Sequence, residues 1–173
     1  MSRFAWAAAA LASIAFLATL AFTGGRSGPG LATFTATGLL TIPAGEAREV
    51  EVTTRNGQWR FEREGSGWRV TKGNPTPGYE ARLEAALTLL RNSGPERTLT
   101  GDEVAGVDAT QFGLDPPRLR VAIRGSDASI FAIAFGAANL LGLAHYARLD
   151  GHREIALLPG FVAEACEQVG AAP

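Results

Sequence analysis

The sequence has a single cysteine, two histidines and almost no net charge, −1 from 16 basic and 17 acidic residues. One cysteine excludes an internal disulfide framework and every multi-cysteine zinc site. His145 and His152 fall short of the three or four ligands that zinc needs, and no third ligand accompanies them. Both read as exposed residues of a hairpin. Near-neutral charge gives no polyelectrolyte drive toward nucleic acid. A glycine-rich phosphate loop, a GxSxG elbow, an HExxH pair and a Walker sequence are all missing. Asp102, Glu103, Asp108 and Asp115 form an acidic neighbourhood, but their spacing does not match a calcium loop, so they read as solvated surface. Cys166 lies on the apolar side of a helical pattern and reads as a small buried hydrophobe. These absences predict a protein that is not an enzyme and uses no cofactor or metal.

Disorder is excluded as well, because 46% of residues are hydrophobic and only 19% charged. The apolar residues are most concentrated at the start. Phe4 to Phe22 contains no charge, proline or glycine. Its length approaches the roughly 20 residues that cross about 30 Å of hydrocarbon as a helix. Lipid demands internal pairing of every backbone group, so the segment is expected to be helical. Arg3 on the short N-terminal side predicts that this end stays in the cytoplasm. Residues 1–22 therefore read as a membrane anchor, with residues 4–22 in contact with lipid. The chain is therefore expected to cross the membrane once, with its C-terminal domain outside the cytoplasm. A cleaved signal peptide is the competing reading. Its apolar region is typically about 7–15 residues, shorter than this one, and Thr19-Leu20-Ala21 is a mediocre cleavage site. A helix of a soluble cytoplasmic protein is the third.

Residues 23–45 read as a linker, opening on GGRSGPG and turning more apolar from Leu31. Residues 46–173 read as one extracytoplasmic domain. Val50 and Val52 alternate with Glu49 and Glu51, the period of a half-buried strand. Asn56-Gly57 signals a hairpin turn. Trp59 and Phe61 then share one face, and Trp68 and Val70 follow after Gly65-Ser66-Gly67, which predicts a three-stranded meander. Tyr79 to Arg91 is helical, with Tyr79, Leu83, Ala86, Leu87 and Leu90 forming one stripe. Arg97 to Leu99 adds a short strand, and Val104 to Gly113 reads as a short helix or a loop. RLRVAIR and ASIFAIAF are strands, Gly136 to Gly142 is a connection, and AHYARL with EIALL is another hairpin. Phe161 to Val169 closes as a helix whose apolar side carries Phe161, Val162, Ala165, Cys166 and Val169. Strands arriving in runs predict an α+β domain, one mainly antiparallel sheet with two helices.

Three blocks carry a resemblance. Trp59 through Thr71 places two tryptophans around a turn. Phe112 to Pro117 reads FGLDPP before a strand. Phe135-Gly136 is followed by Gly142, Tyr146-Ala147-Arg148, EIALLP and a terminal helix. In this order they resemble the bacterial domain-of-unknown-function 4340 family, over roughly Val50 to Val169. The resemblance implies an envelope protein with one N-terminal membrane helix, in some cases accessory to ABC-type transport systems, including those linked to gliding motility. It carries over no catalytic residue.

Each block also has a fold-making reading. Trp59, Phe61 and Trp68 supply apolar area, Leu114 plugs a core, and Gly136 permits a close or left-handed backbone. The competing reading is a recognition surface at Gly113, Leu114, Asp115, Gly136 and Tyr146. The expected function is a membrane-anchored periplasmic binding or assembly module with a membrane-protein partner and no nucleic acid. A secreted or anchored binder of small ligands or glycans is the alternative, and an enzyme comes last.

Overall fold

The computed structural model describes residues 38–170. The expected anchor and most of the expected linker lie outside them. No helix among the described residues is long and apolar enough to cross a membrane.

The architecture is α+β. Eight strands form one sheet, antiparallel at every pairing: β1 (Ala47–Thr54), β2 (Gly57–Glu64), β3 (Gly67–Lys72), β4 (Arg97–Leu99), β5 (Leu119–Gly125), β6 (Ile130–Ala138), β7 (Ala144–Leu149) and β8 (Ile155–Pro159). Their spatial order is β3-β2-β1-β5-β6-β7-β8-β4. The first three strands form the expected meander. A second meander, β5 to β8, joins it where Val50 faces Ile123 and Val52 faces Val121.

Two helices, α1 (Tyr79–Asn92) and α2 (Gly160–Val169), pack on each other and cover one face. The alternation that makes the strands also fills this core. Val50, Val52, Phe61, Leu119, Val121, Ile123, Ile133 and Phe135 are all buried toward the helices. Each fully buried aliphatic or aromatic side chain contributes about 1.5–3 kcal/mol, which holds the two layers together. The α1 stripe is the one expected from spacing: Leu83, Ala86, Leu87 and Leu90 are buried. Tyr79 stacks on Phe61 with ring centres 5.5 Å apart, and its hydroxyl donates to the Trp68 carbonyl at 2.9 Å. Arg82 ties the helices together by donating to the Gln168 carbonyl at the end of α2. Leu40 and Ile42, in the apolar stretch that ends the expected linker, are buried in the same core.

The opposite face is divided. Over β6 to β8 it is covered by the segment between β4 and β5, which supplies Val104, Ala109, Phe112 and Leu114 to a second small core with Ala134, Tyr146 and Ile155. Within that segment Ala109–Phe112 is one 3-10 turn, capped by the Asp108 carboxylate on the Thr110 amide. Over β1, β2, β3 and β5 the face is wet and carries matched charges. Arg60 reaches both Glu49 and Glu51, Arg124 reaches Glu49, and Arg69 reaches Glu62 and Glu64.

Three expectations need correction. His145 is not an exposed hairpin residue; it points toward the helices and is 5% exposed. Phe161 does not share the apolar side of the last helix; it is 52% exposed. The stripe that packs is Val162, Ala163, Cys166 and Val169, and Phe161 lies about 100° around the helix from Val162. Gly136 is not the start of the connection, because β6 continues through a bulge to Ala138.

Candidate functional site

The candidate surface residues gather at one end of the sheet. Thr54 pairs with Leu119, Leu119 with Phe135, Ala138 with His145, and Ala144 with Pro159. This end therefore carries the β1–β2 turn, the start of β5, the β6–β7 turn and the start of α2.

Gly113, Leu114 and Asp115 come from the covering segment, and Gly136 and Tyr146 from the strands beneath it. Gly113 takes a left-handed backbone, φ +65°, at the end of the 3-10 turn. A side chain there would meet the Ala137 amide nitrogen at 2.7 Å. Gly136 is the matching surface on β6, and it is close approach rather than a positive φ that requires the glycine. Leu114 is 2% exposed and fills the second core, as expected of a plug. Phe112 meets Tyr146 edge-on with ring centres 5.0 Å apart. Asp115 is exposed at the turn into β5, where its bond to Pro116 is cis. FGLDPP, Gly136 and Tyr146 thus form one joint, in which a loop seats on a bulged strand.

Beside the joint lies a groove of about 390 Å³, lined by Arg55, Asn56, Gly113, Gly136 and the pair Arg118–Glu167. Arg118 grips Glu167 through two nitrogens, with Nε to Oε1 at 2.8 Å, so β5 is clamped to α2. The same guanidinium stands 3.5 Å from His145 Nε2, while His145 Nδ1 stands 3.3 Å from the Gly136 carbonyl oxygen. A carbonyl only accepts and a guanidinium only donates, which assigns the hydrogen to Nδ1 and leaves the Nε2 lone pair to Arg118. Both ring nitrogens therefore have a partner, and the cluster helps to orient the joint. Cys166 is fully enclosed; burial pushes its thiol up to about 12, which removes the thiolate needed for nucleophilic attack. Among the described residues no three His, Cys, Asp or Glu side chains converge as a metal site. Trp59 is 8% exposed, and Tyr146 is half-buried against Phe112, so neither ring stands free in solvent.

The outermost feature of this end is one that motif reading passed over. Leu140, Leu141 and Leu143, in the β6–β7 turn, are 106%, 78% and 68% exposed. Phe161 stands near them, because the Gly160 amide donates to the Leu143 carbonyl at 2.7 Å. The turn is held by its own hydrogen bonds. The Asn139 amide donates to the Ala144 carbonyl at 2.7 Å, and the Asn139 side chain accepts from the Leu143 amide at 3.1 Å. Gly142, at φ +71°, closes the turn. The leucines are thus presented outward by a fixed backbone. The signal was available: an apolar run, NLLGL, in a stretch whose glycines mark a connection.

No family model, no curated protein and no solved structure matches this chain.

Proposed function

We propose that the chain is a membrane-anchored, extracytoplasmic binding or assembly module that docks a membrane-protein partner through the leucine turn. The observation that carries this reading is the set of Leu140, Leu141, Leu143 and Phe161, held in water at one end of the sheet. Soluble surfaces seldom keep adjacent large apolar side chains exposed unless something covers them. The fixed turn lowers the entropic cost of docking, because the side chains need no rearranged backbone. The apolar segment at residues 4–22 has the length and composition of a membrane anchor, which supports a partner in the same membrane. A membrane component of an ABC-type transport system is the kind of partner that some members of the resembled family imply.

The test is site-specific photocrosslinking in cells that make the full chain. A photoreactive residue at Leu141 is expected to give one discrete adduct in the membrane fraction, and the same residue at Arg124 none. Equal labelling from both positions, or none from Leu141, overturns the reading. A reporter fused at Pro173 tests the orientation separately: periplasmic activity is expected, and cytoplasmic activity contradicts it.

A further inference from the structure

At the other end of the sheet a second cleft, of about 250 Å³, lies between the covering segment and the β7–β8 turn. Val104, Ala109 and Ile155 give it apolar walls, and Arg148, His152 and Arg153 give it a basic rim. Most arginines among the described residues are already engaged. Arg60, Arg63, Arg69, Arg97, Arg118, Arg120 and Arg124 each pair with a carboxylate, and Arg82 and Arg91 donate to backbone carbonyls. Among the described residues four arginines, Arg48, Arg55, Arg148 and Arg153, have no such partner, and of these Arg148 and Arg153 line one cleft together with a histidine. The backbone beneath is fixed, with the Asp150 amide on the Ala132 carbonyl and the His152 amide on the Leu149 carbonyl.

We propose that this cleft binds a phosphate group attached to a short apolar body. Two guanidiniums and an imidazole offer more donors than the two oxygens of a carboxylate use, and they match the three free oxygens of a phosphomonoester. The apolar walls take the group that carries it, and the volume limits that group to headgroup size. The phosphate can come from a soluble phosphomonoester or from a lipid headgroup. The site shares no residue with the leucine turn, so it stands or falls apart from the docking reading.

The test uses the full chain in maltoside micelles, labelled with nitrogen-15 at arginine and histidine. Phenyl phosphate is titrated in one arm, and phosphatidic acid is mixed into the micelles in the other. Saturable shifts of the Arg148, His152 and Arg153 signals are expected, with Arg48 and Arg55 unmoved. The paired change Arg148→Gln and Arg153→Gln is expected to weaken binding at least tenfold, which is about 1.4 kcal/mol. A response to phenyl phosphate assigns a soluble ligand, and a response to phosphatidic acid alone assigns a headgroup. No saturation in either arm, or equal shifts at Arg48 and Arg55, overturns the proposal.

Discussion

A β-carbon built on Gly136 would stand 2.1 Å from the carbonyl oxygen of Phe112. No real side chain tolerates that separation, and the obstacle is backbone, so either the covering segment lifts or β6 shifts. Gly136→Ala is therefore expected to destabilise the domain by about 1–3 kcal/mol. Urea unfolding measures the loss. Hydrogen exchange is expected to rise at Gly113 and Leu114 before the rest of the sheet, and uniform exchange across the sheet would show that the joint is not a local seat.

Leu140→Ser with Leu141→Ser is the opposite case. Both side chains are solvent-exposed, so stability is expected to change by no more than about 0.5 kcal/mol. The crosslinked adduct from a photoreactive Leu143 is expected to disappear. An adduct that survives the double change would move the docking surface elsewhere.

Arg63 is the most enclosed charge of the meander. Its side chain is 9% exposed and lies 4.2 Å from the Trp68 ring centre. It donates to the Ala44 and Ala47 carbonyls and to Glu84, which also accepts from the Trp68 indole. Arg63→Met keeps the stem and removes the donors. The expected cost is about 1.5–3 kcal/mol, the range for hydrogen bonds involving a charged group. Glu84→Gln is expected to cost less, because it keeps an acceptor and Glu84 is partly solvated. The reverse ranking in denaturant titrations would contradict this account.

Cys166 is expected to resist thiol reagents in the folded protein and to react fully in denaturant. Its enclosure in α2 and its raised pKa act in the same direction. Labelling that matches the rate of a free thiol under native conditions would show that α2 opens readily.

Acid lowers stability through carboxylates whose folded pKa lies below its ordinary value. The Thr110 amide holds Asp108 down, hydrogen bonds from Ser129 hold Asp127 down, and the Thr100 amide with Arg97 does the same for Glu103. At Glu51 burial acts upward, but Arg60 and Gln58 together outweigh it and the net shift is down. Their stabilisation is complete above the ordinary carboxylate values of about 4 and is lost as pH falls through the lowered folded values. The urea midpoint is expected to fall below about pH 4, and to fall less steeply in Asp108→Asn with Asp127→Asn. An unchanged slope in that variant would remove these two groups from the account.

The local parts of this fold were legible in the sequence. Val50, Val52, Trp59 and Phe61 alternate as a two-sided sheet requires, and Asn56-Gly57 marks its first turn. Leu83 to Leu90 repeats at helical spacing because α1 has one dry side. Long-range partners were not legible. Nothing near Val50 signals Ile123, and nothing near Arg97 signals Leu157. His145 looked wet because it is polar, but its burial depends on Arg118 and on a carbonyl exposed by the bulge in β6. Phe161 looked dry because it is apolar, yet it falls beside the buried stripe of Val162, Ala163, Cys166 and Val169 and faces solvent. At the candidate surface the glycine motifs marked the joint, while the leucines beside it carried no motif.

The central seam between β1 and β5 also governs when the protein can finish folding. The whole first meander and α1 precede Leu119 in the chain, so they emerge from synthesis or export ahead of it. Until then β1 has one bare edge, open to pairing with any other strand that comes by. Completion therefore waits on the second half of the chain, a long-range pairing of the kind that slows folding. The vulnerable interval is that wait, and a chaperone that shields one strand, β1, would shorten the list of wrong outcomes most.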